Sequence, residues 1–191
     1  MDACIANSFR NYHAKGVDYI NLLRHDKLTI KLYFLNPDKI QTIGNTGYLV
    51  NPHNHRYAFG THVLFGMVGN LNFVESISTI NENIWNRFNY YADRQPNERF
   101  EYSHKTELLT SQYGQYQKGD SYYLTTDIIH TLVPFDTPAC LLLHQYQDTE
   151  MDGTQFYSLE SEAPKFSGEV YSKFTPEEVT NYLTILKDKI R

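Results

Sequence analysis

Cysteine is nearly absent: Cys4 and Cys140 are the only two in 191 residues, and nothing in their spacing suggests a disulfide framework. Free thiols in a chain stabilised by burial alone are expected of a cytoplasmic protein. Basic runs are missing too. Lys and Arg total 17 against 22 Asp and Glu, for a net charge of -5, and no Lys/Arg-rich stretch exists to displace counterions from a phosphate backbone. Nucleic acid is therefore not an expected partner. No apolar stretch approaches the roughly 20 residues of a bilayer span, so no membrane is expected. Met1 to Phe9 carries Asp2 and lacks an apolar signal core, and export is not expected either. Internal repeats and low-complexity tracts are also lacking.

Aromatic residues are plentiful: 16 Tyr and 11 Phe raise their share to 15%. Tyr-rich segments carrying Val, Ile and Thr favour strands. A hydrophobic fraction of 41% with 20% charged residues describes an ordinary globular protein. The length fits one domain, 1–191, with a real core.

Residues 1–25 read as a mostly helical lead-in, from the loose spacing of Phe9, Tyr12, Val17, Ile20 and Leu23. The pattern then changes. Leu28, Ile30, Leu32 and Phe34 alternate with Thr29, Lys31 and Tyr33, the mark of a half-buried strand that stops at Asn36-Pro37-Asp38. Short strands are expected at 41–43 and 48–50, a long one over 55–65, and another at 71–75. Residues 76–100 read as a polar insertion on the edge of a barrel spanning about 28–147. Strands are expected again at 100–102, 105–109, 121–124, 131–133 and 140–146. Thr175-Pro176-Glu177-Glu178 is a capping box that opens a C-terminal helix over 175–190, with Val179, Tyr182, Leu183, Leu186 and Ile190 as its apolar stripe. Short strands at regular spacing with helices at the ends indicate an all-β antiparallel barrel or jelly roll.

The stretch Gly47-Tyr-Leu-Val-Asn-Pro-His53-Asn-His55 is the most informative. Two histidines at i and i+2 on a strand project from one face and reach one ion. His53 and His55 are followed by Phe59 and Gly66; further on stand Gly119, Thr125, Asp127 and His130. In both stretches the chain resembles the cupin superfamily, the RmlC-like jelly rolls, over residues 41–146. Gly47, His53, His55 and Gly66 keep the intervals of the first cupin signature, and Gly119 and His130 those of the second. Thr125 and Asp127 replace that signature's proline and glycine. The resemblance implies a double-stranded β-helix and one divalent metal on His53, His55 and His130.

Phe59 stands where cupins carry a glutamate ligand, so three neutral imidazoles leave the ion its full charge and favour anionic substrates. In this the chain resembles the thiol dioxygenases of the cysteine dioxygenase type and the diketone-cleaving dioxygenases. That resemblance implies iron(II) with a small organic substrate, thiol or otherwise anionic, and O₂; zinc, nickel or manganese fit the ligands nearly as well. The Ser-x-His-x-Tyr relay of the cysteine dioxygenases is similar to Leu142-Leu143-His144-Gln145-Tyr146, which makes His144 and Tyr146 the implied catalytic residues, with Leu142 in place of the serine. The substrate-gripping arginine of those enzymes has no clear counterpart; Ile20-Asn21-Leu22 lacks it, and Arg24 and Arg56 are candidates. His62 should point away from the ligands, His104 lies near a strand, and His13 and His25 belong to the lead-in. Two further readings are a metal-dependent lyase or isomerase using a pocket tyrosine, and a non-catalytic small-ligand cupin. A homodimer through edge strands is also an expectation.

Overall fold

A computed structural model describes residues 2–12, 14–76, 84–149, 153–162 and 172–190. His13 lies outside the described residues. The elements run α1 (Asp2–Ala6), β1 (Phe9–Arg10), β2 (Val17–His25), β3 (Leu28–Leu35), β4 (Tyr57–Phe65), β5 (Met67–Ser76), β6 (Ile84–Tyr90), β7 (Phe100–Gln117), β8 (Ser121–Leu124), β9 (Ile129–Val133), β10 (Ala139–Asp148), β11 (Thr154–Ser158), β12 (Ser172–Lys173) and α2 (Pro176–Ile190). They form two antiparallel sheets, one ordered β12-β1-β2-β3-β10-β4-β8 and the other β11-β6-β7-β5-β9. This is the two-sheet all-β barrel, with a short helix before it and a longer one after, that the sequence implies.

The alternation in β3 sets the layers. Its Leu32 and Phe34 join Ile20 and Cys140 on the outer face of the larger sheet, where α2 packs Val179 and Leu186 over them. Thr175 and Glu178 bond reciprocally at the start of α2, as the capping box predicts. The other face of β3 is buried as well: Thr29 and Lys31 are each only 9% exposed. That face looks into the barrel, where Val63, Val68, Leu141 and Leu35 form a second core. In the smaller sheet Val68, Asn70, Asn72, His130 and Leu132 share the inward face, because Asn72 pairs with His130 and Asn70 with Leu132. Its opposite face carries a third core of Leu71, Phe73, Trp85, Leu108, Ile129 and Tyr157.

Several expected elements differ. Only residues 2–6 of the lead-in are helical; residues 17–25 are a strand, since Val17 and Tyr19 find partners in Leu35 and Tyr33, and this pairing overrides a loose helical spacing. Residues 41–43 and 48–50 form a turn closed by bonds of Ile43 to Tyr48 and Thr46 to Ile43 rather than two strands. Within 76–100, residues 84–90 are no excursion: β6 lies between β7 and β11, anchored by buried Trp85 and Phe88. Asn86, Arg87 and Asn89 make the rest of it largely polar, which hid the strand. Residues 77–83 lie outside the described ones. Gly66, which ends the first signature stretch, turns β4 into β5 at φ 75, and a Cβ there would collide with the Pro138 carbonyl. Among the described residues, no helix is long and apolar enough to cross a membrane.

Candidate metal centre

His53 and His55 were expected at i and i+2 on a strand. Instead β4 begins at Tyr57, and residues 49–54 form a separate clamp between the two edges of the smaller sheet. On one side Leu49 N–H donates to Leu132 O at 2.8 Å, His53 N–H to His130 O at 3.0 Å, and His130 N–H returns to His53 O at 2.9 Å. On the other side Asn54 N–H donates to Gln155 O at 3.1 Å and Tyr157 N–H to Pro52 O at 2.9 Å. β9 and β11 are thereby tied through one short segment. The bridge sets His53 directly opposite His130, so two histidines 77 positions apart meet through backbone pairing. His55 follows just before the chain turns into β4.

The three rings converge. Their centroids lie 4.6 Å apart for His53 and His55, 5.3 Å for His53 and His130, and 5.1 Å for His55 and His130. One nitrogen from each lies within 4.8 Å of the others. A ligand nitrogen sits about 2.1 Å from a transition metal, so a single ion needs side-chain shifts of about an ångström or less.

Hydrogen bonds fix the direction of two rings. His53 Nδ1 is 2.7 Å from the Asn51 carbonyl, which can only accept, so Nδ1 carries the proton and Nε2 the lone pair. His130 Nδ1 is 2.8 Å from Asn70 Oδ1, and the Asn70 amide in turn donates to Asn72 Oδ1 at 2.6 Å, which assigns Oδ1 as the acceptor. His130 Nε2 faces His55 Nε2 at 2.9 Å. Burial holds the His53 pKa below 6.5, against a smaller upward pull from the Asn51 carbonyl. His130 is pushed well below 6.5 by burial and then by His53. Neutral imidazoles with the lone pair on Nε2 are the form a metal requires, and the Nδ1 nitrogens of His53 and His130 are held as those of metal-bound histidines usually are. The donor set fits one transition-metal ion.

Phe59 closes the fourth side. It is 2% exposed, with its ring 4.9 Å from that of His55 and 5.5 Å from that of His130. An open pocket of about 390 Å³ borders His55, lined among others by Asn54, Arg87, Asn89, Asp127 and Gln155. It gives the centre an approach from solvent.

No family model matches the chain, and no curated protein does. Solved structures do. The chain is similar to a cupin superfamily protein from Desulfitobacterium hafniense DCB-2, at 11% identity over 69% of this chain and 78% of that one, with a TM-score of 0.38. It is similar to an RmlC-like cupin from Shewanella frigidimarina NCIMB 400, at 13% identity over 71% and 79%, with a TM-score of 0.36. An oxalate decarboxylase of Bacillus subtilis matches at 14% identity over 94% of this chain and 35% of the other, with a TM-score of 0.43. Identities this low carry no residue role across, so the centre stands on its own geometry.

His144 and Tyr146 are not brought to the triad. In β10 the residues facing the barrel are Leu141, Leu143 and Gln145, which pair with Val63, Thr61 and Phe59. His144 pairs with Gly60 on the outer face, and Tyr146 is 46% exposed there, against Tyr123. The two do share a strand face, but it is the wrong one for a catalytic role at this centre. His62 also faces outward, bonded to Ser121 at 2.7 Å. His104 pairs with Glu75 at 2.9 Å and Arg56 with Asp148 at 2.9 Å, while Arg24 lies exposed near Asn7 and His25 is exposed. Sequence reasoning missed Asn51 and Asn70, the acceptors that orient the ligands. It also passed over Lys31, whose place in an alternating strand was a usable signal once that strand's polar face proved to be the inner one.

Proposed function

We propose that this chain is a metal-dependent cupin enzyme in which His53, His55 and His130 hold one divalent ion, and that it oxidises a small organic anion with O₂ using iron(II). One observation carries the reading: three imidazole rings converge with no carboxylate among them, two of them locked so that Nε2 faces the shared point. Iron(II) bound there would supply the one-electron chemistry that O₂ requires and open positions for its ligands. The protein supplies orientation through Asn51 and Asn70, an apolar wall through Phe59, and entry beside His55. Because no ligand carries negative charge, an anionic substrate is attracted more strongly than at a centre with a carboxylate ligand. Zinc, nickel or manganese would fit the same nitrogens.

A lyase or isomerase is the second reading, favoured by Tyr57, whose ring lies 5.0 Å from that of His55. The two part on oxygen. Anaerobically prepared protein loaded with iron should bind nitric oxide, give the spin signal of an iron–nitrosyl centre, and consume O₂ when substrate is supplied. Tightly held zinc with no O₂ uptake under any metal would contradict the oxidative reading.

A further inference from the structure

Lys31 is a cation inside the barrel. On the inner face of the larger sheet it pairs with Asn21 of β2 and Leu143 of β10; Leu143 pairs with Thr61 of β4, and Thr61 with Tyr122 of β8. Asn21, Lys31, Leu143, Thr61 and Tyr122 thus form one transverse row. Lys31 donates to Gln145 Oε1 at 2.7 Å, and its ammonium lies 5.4 Å from the Tyr19 ring and 5.9 Å from the Tyr57 ring. Among the described residues no carboxylate forms an ion pair with it; Asp148, whose field it feels, is held by Arg56 at 2.9 Å.

Two further groups in the row are unsatisfied. Asn21 is 2% exposed and Thr61 is 3% exposed; Asn21 lies beside the Tyr19 hydroxyl and Thr61 beside that of Tyr122, but neither Asn21 Nδ2 nor Thr61 Oγ1 has a hydrogen bond of full geometry. Buried polar atoms without partners are rare, and each calls for a reason. A lysine is seldom buried unless paired, and a neutral amide with two aromatic faces offsets little of what its charge loses on leaving water. Burial accordingly lowers the Lys31 pKa to about 8. An apolar side chain would fill the position at less cost, so packing alone does not account for the lysine. An ammonium, an amide N–H and a hydroxyl facing one interior form the complement of a carboxylate, which has two oxygens and about four acceptor sites. The Tyr57 ring stands 5.9 Å from the Lys31 ammonium and 5.0 Å from the His55 ring, so a single side chain separates Lys31 from the metal ligands.

We infer that Lys31, Asn21 and Thr61 form the binding site for the carboxylate of a small organic acid, the substrate of the centre described above. The link to catalysis rests on the proposed function; the carboxylate site itself does not. Acetate binding to metal-free protein, followed by calorimetry with acetamide as the neutral isostere, separates the two. Wild-type protein should bind acetate and not acetamide. Lys31→Met should weaken acetate by about thirtyfold or more, as loss of a buried charge partner does, and Lys31→Arg should retain it. Asn21→Leu should weaken it less, and covers the case that the lysine variant misfolds. His130→Ala should bind acetate as wild type does. Equal acetate affinity in wild type, Lys31→Met and Asn21→Leu, or acetamide binding as well as acetate, would overturn the inference. Acetate binding that depends on Lys31 in a protein that takes up no metal would leave it standing and remove the metal reading instead.

Discussion

At the scale of single residues, the centre depends on which nitrogen of each histidine is protonated, and for His53 and His130 that is set by neighbours outside the triad. Asn70 is the clearest case: its Oδ1 takes the His130 Nδ1 proton, and the Asn72 carboxamide fixes the orientation of Asn70. With Asn70→Leu, His130 would be free to turn or to change tautomer. Metal affinity should then fall by about 10–100-fold, the usual effect of removing such a partner, while Asn72→Leu should cost less. Competition with a chromophoric chelator measures both; equal affinity in Asn70→Leu and wild type would show that the bond does not orient the ring. The triad was legible in the sequence because its spacings are short and local, from Gly47 to Gly66 and from Gly119 to His130. Asn70 and Lys31 were not. Their roles follow from cross-strand register, which brings Asn70 beside His130 and Lys31 beside Asn21, and no local spacing encodes that.

At the scale of elements, period two tells which residues of a strand share a face but not which face is inside. The sequence placed His144 and Tyr146 together, correctly, yet the register of β10 against β4 turns them away from the barrel. The same ambiguity hid the polar inner face of β3. Both strands belong to the layer between the barrel interior and α2, so their apolar residues had two sides to serve. The orientation of β10 has a direct consequence. His144→Ala should leave metal stoichiometry and acetate affinity as in the wild type, measured by elemental analysis and calorimetry. Loss of either would mean that β10 is shifted by one residue, which would carry His144 inside and Gln145 out. The C-terminal helix was readable because capping and stripe are both local, although Ile190, at the end of the expected stripe, is exposed. The strand at 17–25 was not, because its pairing with β3 decided it.

For the molecule as a whole, the centre sits where the fold is closed. His130 belongs to an edge strand of the smaller sheet, and His53 and His55 to the segment that ties that edge to the other. A metal bridging them would join two pieces of chain 75 positions or more apart, and ligand binding that is confined to the folded state raises stability by mass action. The all-β class and the two-helix frame could be read from composition and periodicity. The closure could not, since residues 49–54 have no strand signature of their own and act through five backbone bonds to β9 and β11. If one ion is held by these three rings, its binding must depend on each of them. Anaerobic titration with iron(II), read by elemental analysis after desalting and by the melting temperature, tests it most directly. Wild-type protein should retain one equivalent and melt higher when loaded, whereas His53→Ala, His55→Ala and His130→Ala should each lose the metal and the added stability. Full retention of metal by His130→Ala would contradict it.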